Sequence, residues 1–158
     1  RVAQIGQAFG MRVLVNTRTV PNENAGVEFV DRETIFREAD FLTLHCPQTP
    51  QTEGLICRET LAMMKKSAYL INTARGGLVV EQDLAEALNQ GRIAGAGLDV
   101  LRTEPMAAAN PLPYANRCLT TPHVAWASLE ARGRLLEIAA DNVRGFLAGK
   151  PIHVVNQP

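Results

Sequence analysis

YLINTARGGLVVEQDLAEALNQGRIAGAGLDV, residues 69–100, holds the key to the fold. It opens on a short apolar strand, Tyr69-Leu70-Ile71, which stops at a Gly-Gly turn. From Gln82 to Asn89, Leu84, Ala87 and Leu88 recur on one helical face, and Gly91 follows as a helix terminator. Ile93 to Val100 is apolar again, a strand built from small residues, which often marks close approach of a backbone or a ligand. Strand, helix and strand in this order, with an apolar rather than half-polar pattern in the strands, is the signature of a parallel sheet.

The same alternation extends in both directions. Upstream, Val2, Ile5 and Phe9 recur at helical spacing ahead of Gly10, and Arg12–Val15 alternates as a strand. Pro21–Gly26 is turn-rich, Val27–Val30 reads as a strand, and Asp31 caps a helix to Ala39. Phe41–His45 is an apolar strand stopped by Cys46-Pro47, with a loop to Gly54 and a helix over Cys57–Lys66. Downstream, 102–117 is irregular and Cys118–Thr120 is a short strand. Ser128 caps a long helix to Leu147, and a last strand is expected at Ile152–Val155. The apolar strands predict a sheet covered on both faces, with ligands bound beyond the carboxyl ends of its strands. His45, Asn72 to Arg75, Asp99 and His123 all follow strands.

Composition narrows the function. The chain has 158 residues, suiting one domain, is 46% hydrophobic, and carries 16 basic and 16 acidic residues. A balanced charge without basic blocks argues against nucleic acid as a partner. No apolar run approaches the ~20 residues that span a bilayer, so no membrane role is expected. No leader sequence is evident, and a cytoplasmic setting is the expectation. Cys46, Cys57 and Cys118 have no metal-ligand spacing, so the expectation is reduced thiols and no metal.

Three residues at strand ends form a chemical set. Arg75 lies in Ala74-Arg75-Gly76-Gly77, where glycines permit positive φ and let a ligand approach the backbone. Its guanidinium fits a carboxylate through two parallel hydrogen bonds, although a solvated loop arginine reads equally well from this segment. His123 follows Thr121-Pro122 and can give or take a proton near neutrality, or be a hydrogen-bonded structural histidine. Glu104, before Pro105, would favour a charged histidine, or be a solvated loop carboxylate. Asp99 could accept a hydrogen bond from a nicotinamide amide or from a loop amide. His45-Cys46 lacks further ligands for a metal and suits a structural role or backbone contact with a cofactor.

Taken together, Ala8-Phe-Gly-Met11, Leu44-His-Cys-Pro47, Leu70-Ile-Asn-Thr-Ala-Arg-Gly-Gly77, Gly97-Leu-Asp-Val100 with Glu104-Pro105, and Thr121-Pro-His-Val-Ala125 resemble the D-isomer-specific 2-hydroxyacid dehydrogenases. His123-Val-Ala-Trp126 is most similar to the glycerate dehydrogenase and hydroxypyruvate reductase branch. The resemblance implies an α/β fold, a Rossmann-like doubly wound parallel sheet incomplete at its N-terminus. It implies a dinucleotide-binding domain over residues 1–125, lacking its first strand and Gly-rich loop. A C-terminal helix and strand over 126–158 would return towards a substrate domain that is not encoded. This chain would then be about the C-terminal half of such an enzyme.

By the same resemblance, Arg75, Glu104 and His123 are catalytic, and the substrate is a small 2-oxo or 2-hydroxy acid such as hydroxypyruvate or glyoxylate. Asn72, Thr73, Ala74, Arg75, Asp99 and His123 would line the nicotinamide end, and His45, Cys46, Pro47 and Thr52 the rest of the dinucleotide. Thr17 stands where an acidic residue would bind the ribose of NAD, and Arg18 tolerates a 2′-phosphate, so the cofactor is NAD or NADP. Val80 replaces a helix-capping Asp, at a cost of ~1 kcal/mol. A homodimer is expected. The competing readings are a non-catalytic, nucleotide-sensing protein of the co-repressor type and formate dehydrogenase, which carries glutamine in place of Glu104.

Overall fold

A computed structural model describes residues 1–21 and 26–155. Most of the expected turn at Pro21–Gly26 lies outside these residues, as do 156–158 of the C-terminal segment. The chain divides into two compact units, Arg1–Pro122 and His123–Pro158.

In the first unit, α1 (Val2–Ala8) leads to β1 (Leu14–Val15) and β2 (Glu28–Phe29), then α2 (Arg32–Glu38) and β3 (Phe41–Leu44). There follow α3 (Arg58–Met63), β4 (Tyr69–Asn72), α4 (Glu81–Asn89), β5 (Gly95–Leu98) and β6 (Cys118–Thr120). Strands β3, β4, β5 and β6 lie side by side in that order, all parallel, with Leu42 opposite Leu70, Leu70 opposite Ala96 and Ala96 opposite Cys118. β1 and β2 form a separate parallel pair, shorter than expected because only Leu14 and Val15 find partners, in Glu28 and Phe29.

Local chemistry explains the helix ends. Asp31 accepts the Thr34 amide at 2.8 Å and starts α2. Cys57 donates its amide to Thr60 Oγ1 at 2.9 Å at the head of α3. Gly91, at φ +64, lets the chain turn back after α4, so that the Arg92 amide reaches Ala87 O. α4 itself starts at Val80 without a side-chain cap, as expected from that residue.

One face of the four-stranded sheet carries Leu42, Leu44, Leu70, Ala96 and Leu98, which join Phe36, Leu61, Leu84, Leu88 and Leu112 in a single buried cluster. The other face is covered less completely than the apolar runs predict. Phe41, Tyr69 and Leu119 are exposed there, with the Phe41 and Tyr69 rings stacked 5.7 Å apart. The small residues of β5 belong to this packing: a Cβ on Gly95 would lie 2.9 Å from the Tyr69 ring and 3.0 Å from Arg117 O.

The second unit is α5 (Leu129–Leu147), capped by Ser128 Oγ, which accepts the Ala131 amide, and its C-terminal extension. The strand expected at Ile152–Val155 is not formed. That segment folds back along α5, where a Cβ on Gly145 would sit 2.9 Å from Lys150 O and His153 Nδ1 meets Asn142 Oδ1 at 2.9 Å. Packing on a helix gives its backbone no neighbouring strand to pair with.

Candidate active site

The turn after β4 is built around Asn72, whose side chain is fully buried. Its Oδ1 accepts the Ala74 amide at 3.0 Å and its Nδ2 donates to Arg75 O at 2.9 Å, so one side chain closes the turn that presents Arg75. Asn72, placed by resemblance at the nicotinamide end, thus has its amide group occupied within the turn. The Arg75 guanidinium is exposed, donates from Nη1 to Ala74 O at 2.6 Å, and has no carboxylate partner among the described residues.

Gly76 and Gly77 act differently from the sequence expectation. Neither has positive φ, and both are buried. They admit protein rather than ligand: a Cβ on Gly76 would lie 1.9 Å from Leu101 C, and one on Gly77 would lie 2.3 Å from Gln48 Nε2. The Arg75 turn is therefore pressed against the loops after β5 and β3.

An open pocket of about 450 Å³ lies at the carboxyl ends of β3 and β4. His45, Cys46, Pro47, Gln48, Ala74 and Arg75 line it. His45 contacts Thr43 Oγ1 through Nε2 at 3.0 Å. Thr73 is exposed beside this pocket's turn. Thr52 is committed to its own loop, donating to Pro47 O at 2.7 Å and accepting the Thr49 amide at 2.8 Å. It shapes the pocket wall through Pro47. Gln48 is a lining residue that sequence reasoning missed. An isolated glutamine in a Pro-Gln-Thr-Pro loop carries no pattern to single it out.

At the end of β5, Asp99 is buried, donates its amide to Asn72 O at 2.9 Å, and accepts the Thr121 hydroxyl on Oδ1 at 2.5 Å. This ties together the carboxyl ends of β4, β5 and β6. Glu104 is exposed in the following loop, and its Oε1 accepts the Leu101 amide at 2.9 Å. At the end of β1, Thr17 Oγ1 reaches Thr19 O at 3.4 Å. Arg18 is exposed and has no ion pair among the described residues.

His123 opens the second unit. It is half-buried, with φ +55, and its carbonyl accepts Trp126 Nε1 at 2.9 Å. Histidine adopts this left-handed region more readily than most residues, and such strain concentrates at functional positions. No group of three or more His, Cys, Asp or Glu among the described residues is arranged to hold a metal ion.

A parallel sheet whose strand ends present an arginine without a carboxylate partner among the described residues, beside a pocket, is the arrangement of a ligand-binding α/β domain. The chain belongs to the D-isomer specific 2-hydroxyacid dehydrogenases, matching the NAD binding domain of that family over residues 1–125. It is 44% identical to hydroxypyruvate reductase of Blautia hydrogenotrophica over 156 residues, which cover 98% of this chain and 48% of that protein. Glycerate dehydrogenase of Methylorubrum extorquens is 47% identical over 156 residues, again 98% of this chain and 48% of the relative. Among solved structures, an acyclic imino acid reductase in complex with NADPH and D-Arg matches with a TM-score of 0.90 at 37% identity, covering 98% of this chain and 49% of that one. D-lactate dehydrogenase with NAD+ from Lactobacillus jensenii matches with a TM-score of 0.88 at 32% identity, covering 99% and 52%. The chain spans about half the length of the curated relatives it matches.

Proposed function

We propose that the full-length protein is an NAD(P)-dependent oxidoreductase interconverting a small 2-oxo acid, such as hydroxypyruvate or glyoxylate, and its D-2-hydroxy acid. The observation that carries this reading is Arg75, an exposed guanidinium without a carboxylate partner among the described residues, held by a buried asparagine at the mouth of a strand-end pocket. The names of the relatives, hydroxypyruvate reductase and glycerate dehydrogenase, support it. None of them supports a co-repressor.

The residues present fit a dinucleotide. The pocket lies beyond the carboxyl ends of parallel strands, where such sheets bind nucleotides, and the apolar surfaces of Pro47 and Ala74 line it. When bound, the nicotinamide supplies or accepts the hydride. Arg75 grips the substrate carboxylate through two parallel hydrogen bonds and draws electron density from the carbonyl. His123 donates a proton to the carbonyl oxygen during reduction and takes it back during oxidation. Glu104 is the carboxylate that, by resemblance, supports this proton transfer. Thr17 and Arg18 replace the carboxylate that would select NAD, and the unpaired Arg18 suits a 2′-phosphate. The proposal extends to a cytoplasmic homodimer. Three free cysteines accord with a reducing compartment, and exposed Leu136, Phe146 and Leu147 on α5 accord with further association.

Steady-state reduction of hydroxypyruvate tests the reading. Arg75→Ala is expected to lower kcat/KM about 10²–10⁴-fold, the worth of two charge-assisted hydrogen bonds. An unchanged value removes Arg75 from the site. Arg18→Ala is expected to weaken NADPH far more than NADH in a fluorescence titration, and equal losses would leave Arg18 as a solvated side chain.

A further inference from the structure

The loop that carries Glu104 is exposed along its whole length from Arg102 to Ala109, and it has no regular structure. Such a segment does not hold a carboxylate in place by itself. Both of its ends, however, are fastened to a single side chain. Glu81, the first residue of α4, accepts the Arg102 amide on Oε1 at 2.8 Å and the Asn110 Nδ2 on Oε2 at 2.9 Å. Asn110 is buried, and its Oδ1 accepts the Leu112 amide at 3.0 Å, so the far end is anchored in the core beside fully buried Leu112.

The near end meets the Arg75 turn. The same Leu101–Arg102 peptide that Glu81 holds lies against Gly76, where a Cβ would approach Leu101 C at 1.9 Å and Arg102 N at 2.4 Å. The Leu101 amide also donates to Glu104 Oε1. We propose that Glu81 is a positioning residue, which clamps the Glu104 loop at both ends and sets Glu104 against the Arg75 turn. This rests on the proposed roles of Arg75 and Glu104.

The chemistry of the clamp is specific. Arg102 N–H and Asn110 Nδ2–H are both donors, so both oxygens of residue 81 must accept. A glutamine satisfies one donor and turns its own N–H₂ group on the other. A carboxylate that merely complements the α4 dipole would not depend on Asn110 at all. Exchanging the two groups keeps the donor–acceptor pattern. In Glu81→Gln with Asn110→Asp, the glutamine oxygen accepts Arg102 N–H and its nitrogen donates to the aspartate. The second aspartate oxygen still accepts the Leu112 amide.

The test compares Glu81→Gln, Asn110→Asp, the double variant and Glu104→Gln in the full-length protein, reading kcat, KM and the pH–rate profile of 2-oxo acid reduction. Glu81→Gln is expected to lower kcat about tenfold, the scale of a small misplacement at an active site. It should also move the basic limb of the profile downwards in pH, in the same direction as Glu104→Gln, and the double variant should restore both. If Glu104→Gln moves the limb and Glu81→Gln does not, or if the exchange fails to rescue a folded single variant, the positioning role is overturned alone. If Glu104→Gln leaves the limb in place, the catalytic reading of the loop fails and the clamp with it. Should Glu81→Gln not fold, hydrogen exchange of the unsubstituted protein decides. The Arg102 amide should exchange far more slowly than those of Ala107–Ala109, and equal rates would show that no clamp forms.

Discussion

Leu70 on β4 is wholly buried, whereas Ile5 on α1 keeps 58% of its surface exposed, although both come from apolar, periodic sequence. The contrast extends to whole elements. β3 to β6, with α2, α3 and α4, share one dense cluster, while neither α1 nor α5 buries a single residue. Periodicity is a local property and is enough to shape a helix or strand. Burial is a property of what lies across from it, and among the described residues the four-stranded sheet and the helices packed on it bury each other. Arg75 and Asp99 directly follow strands of this packed region, whereas Glu104 lies in an exposed loop tied to it through Glu81.

Leu70→Ala and Leu84→Ala should each cost about 2–5 kcal/mol in urea-induced unfolding, the range for emptying a packed leucine site. Ile5→Ala should change stability by less than ~0.5 kcal/mol. Equal costs would mean that another surface covers α1 in solution. Next in size, Gly76→Ala should cost about 1–3 kcal/mol, since its Cβ meets backbone that cannot swing aside. Gly133→Ala, within α5 and with nothing inside 4 Å, should instead stabilise by about 0.5–1 kcal/mol through the better helix propensity of alanine. A destabilising Gly133→Ala would reveal a close neighbour for α5. The smallest effect is chemical. Burial pushes the Cys118 thiol up to about 11, because the sheet disfavours the thiolate. Its alkylation, followed by mass spectrometry, should be slow at pH 7.5 and rise about tenfold per pH unit until that value is approached. A rate that levels off near the ordinary thiol value of ~8.5 would show β6 opening to solvent.

Most of the order of strands and helices was legible because each signal is short-range. Asp31 and Ser128 cap their helices, Gly91 ends α4, and Cys46-Pro47 follows β3. The parallel sheet also followed from sequence, because its strands are apolar runs separated by helices. What escaped depends on distant neighbours. The expected strand at Ile152–Val155 has β-forming residues but only a helix beside it. Gly76 and Gly77 looked like room for a ligand, and the space is taken by Leu101 and Gln48. The strand-end residues were visible as a set, but not what holds them. Asn72 resembles any turn asparagine, and Glu81 any acidic residue at a helix start, until the loop they secure is in view.

All-parallel pairing also bears on how quickly this chain reaches its fold. Leu42 must find Leu70, Leu70 must find Ala96, and Ala96 must find Cys118, each across roughly 20–30 residues of intervening chain. Among the described residues no hairpin offers a quick local start, so loop closure must be met before pairing repays it. Folding should therefore be slow relative to helical proteins of this size, leaving Phe41-Leu-Thr-Leu and Tyr69-Leu-Ile available to wrong partners in the meantime. Chaperone dependence during synthesis, and aggregation on rapid dilution from denaturant, are the expected consequences of a topology that sets four parallel strands side by side.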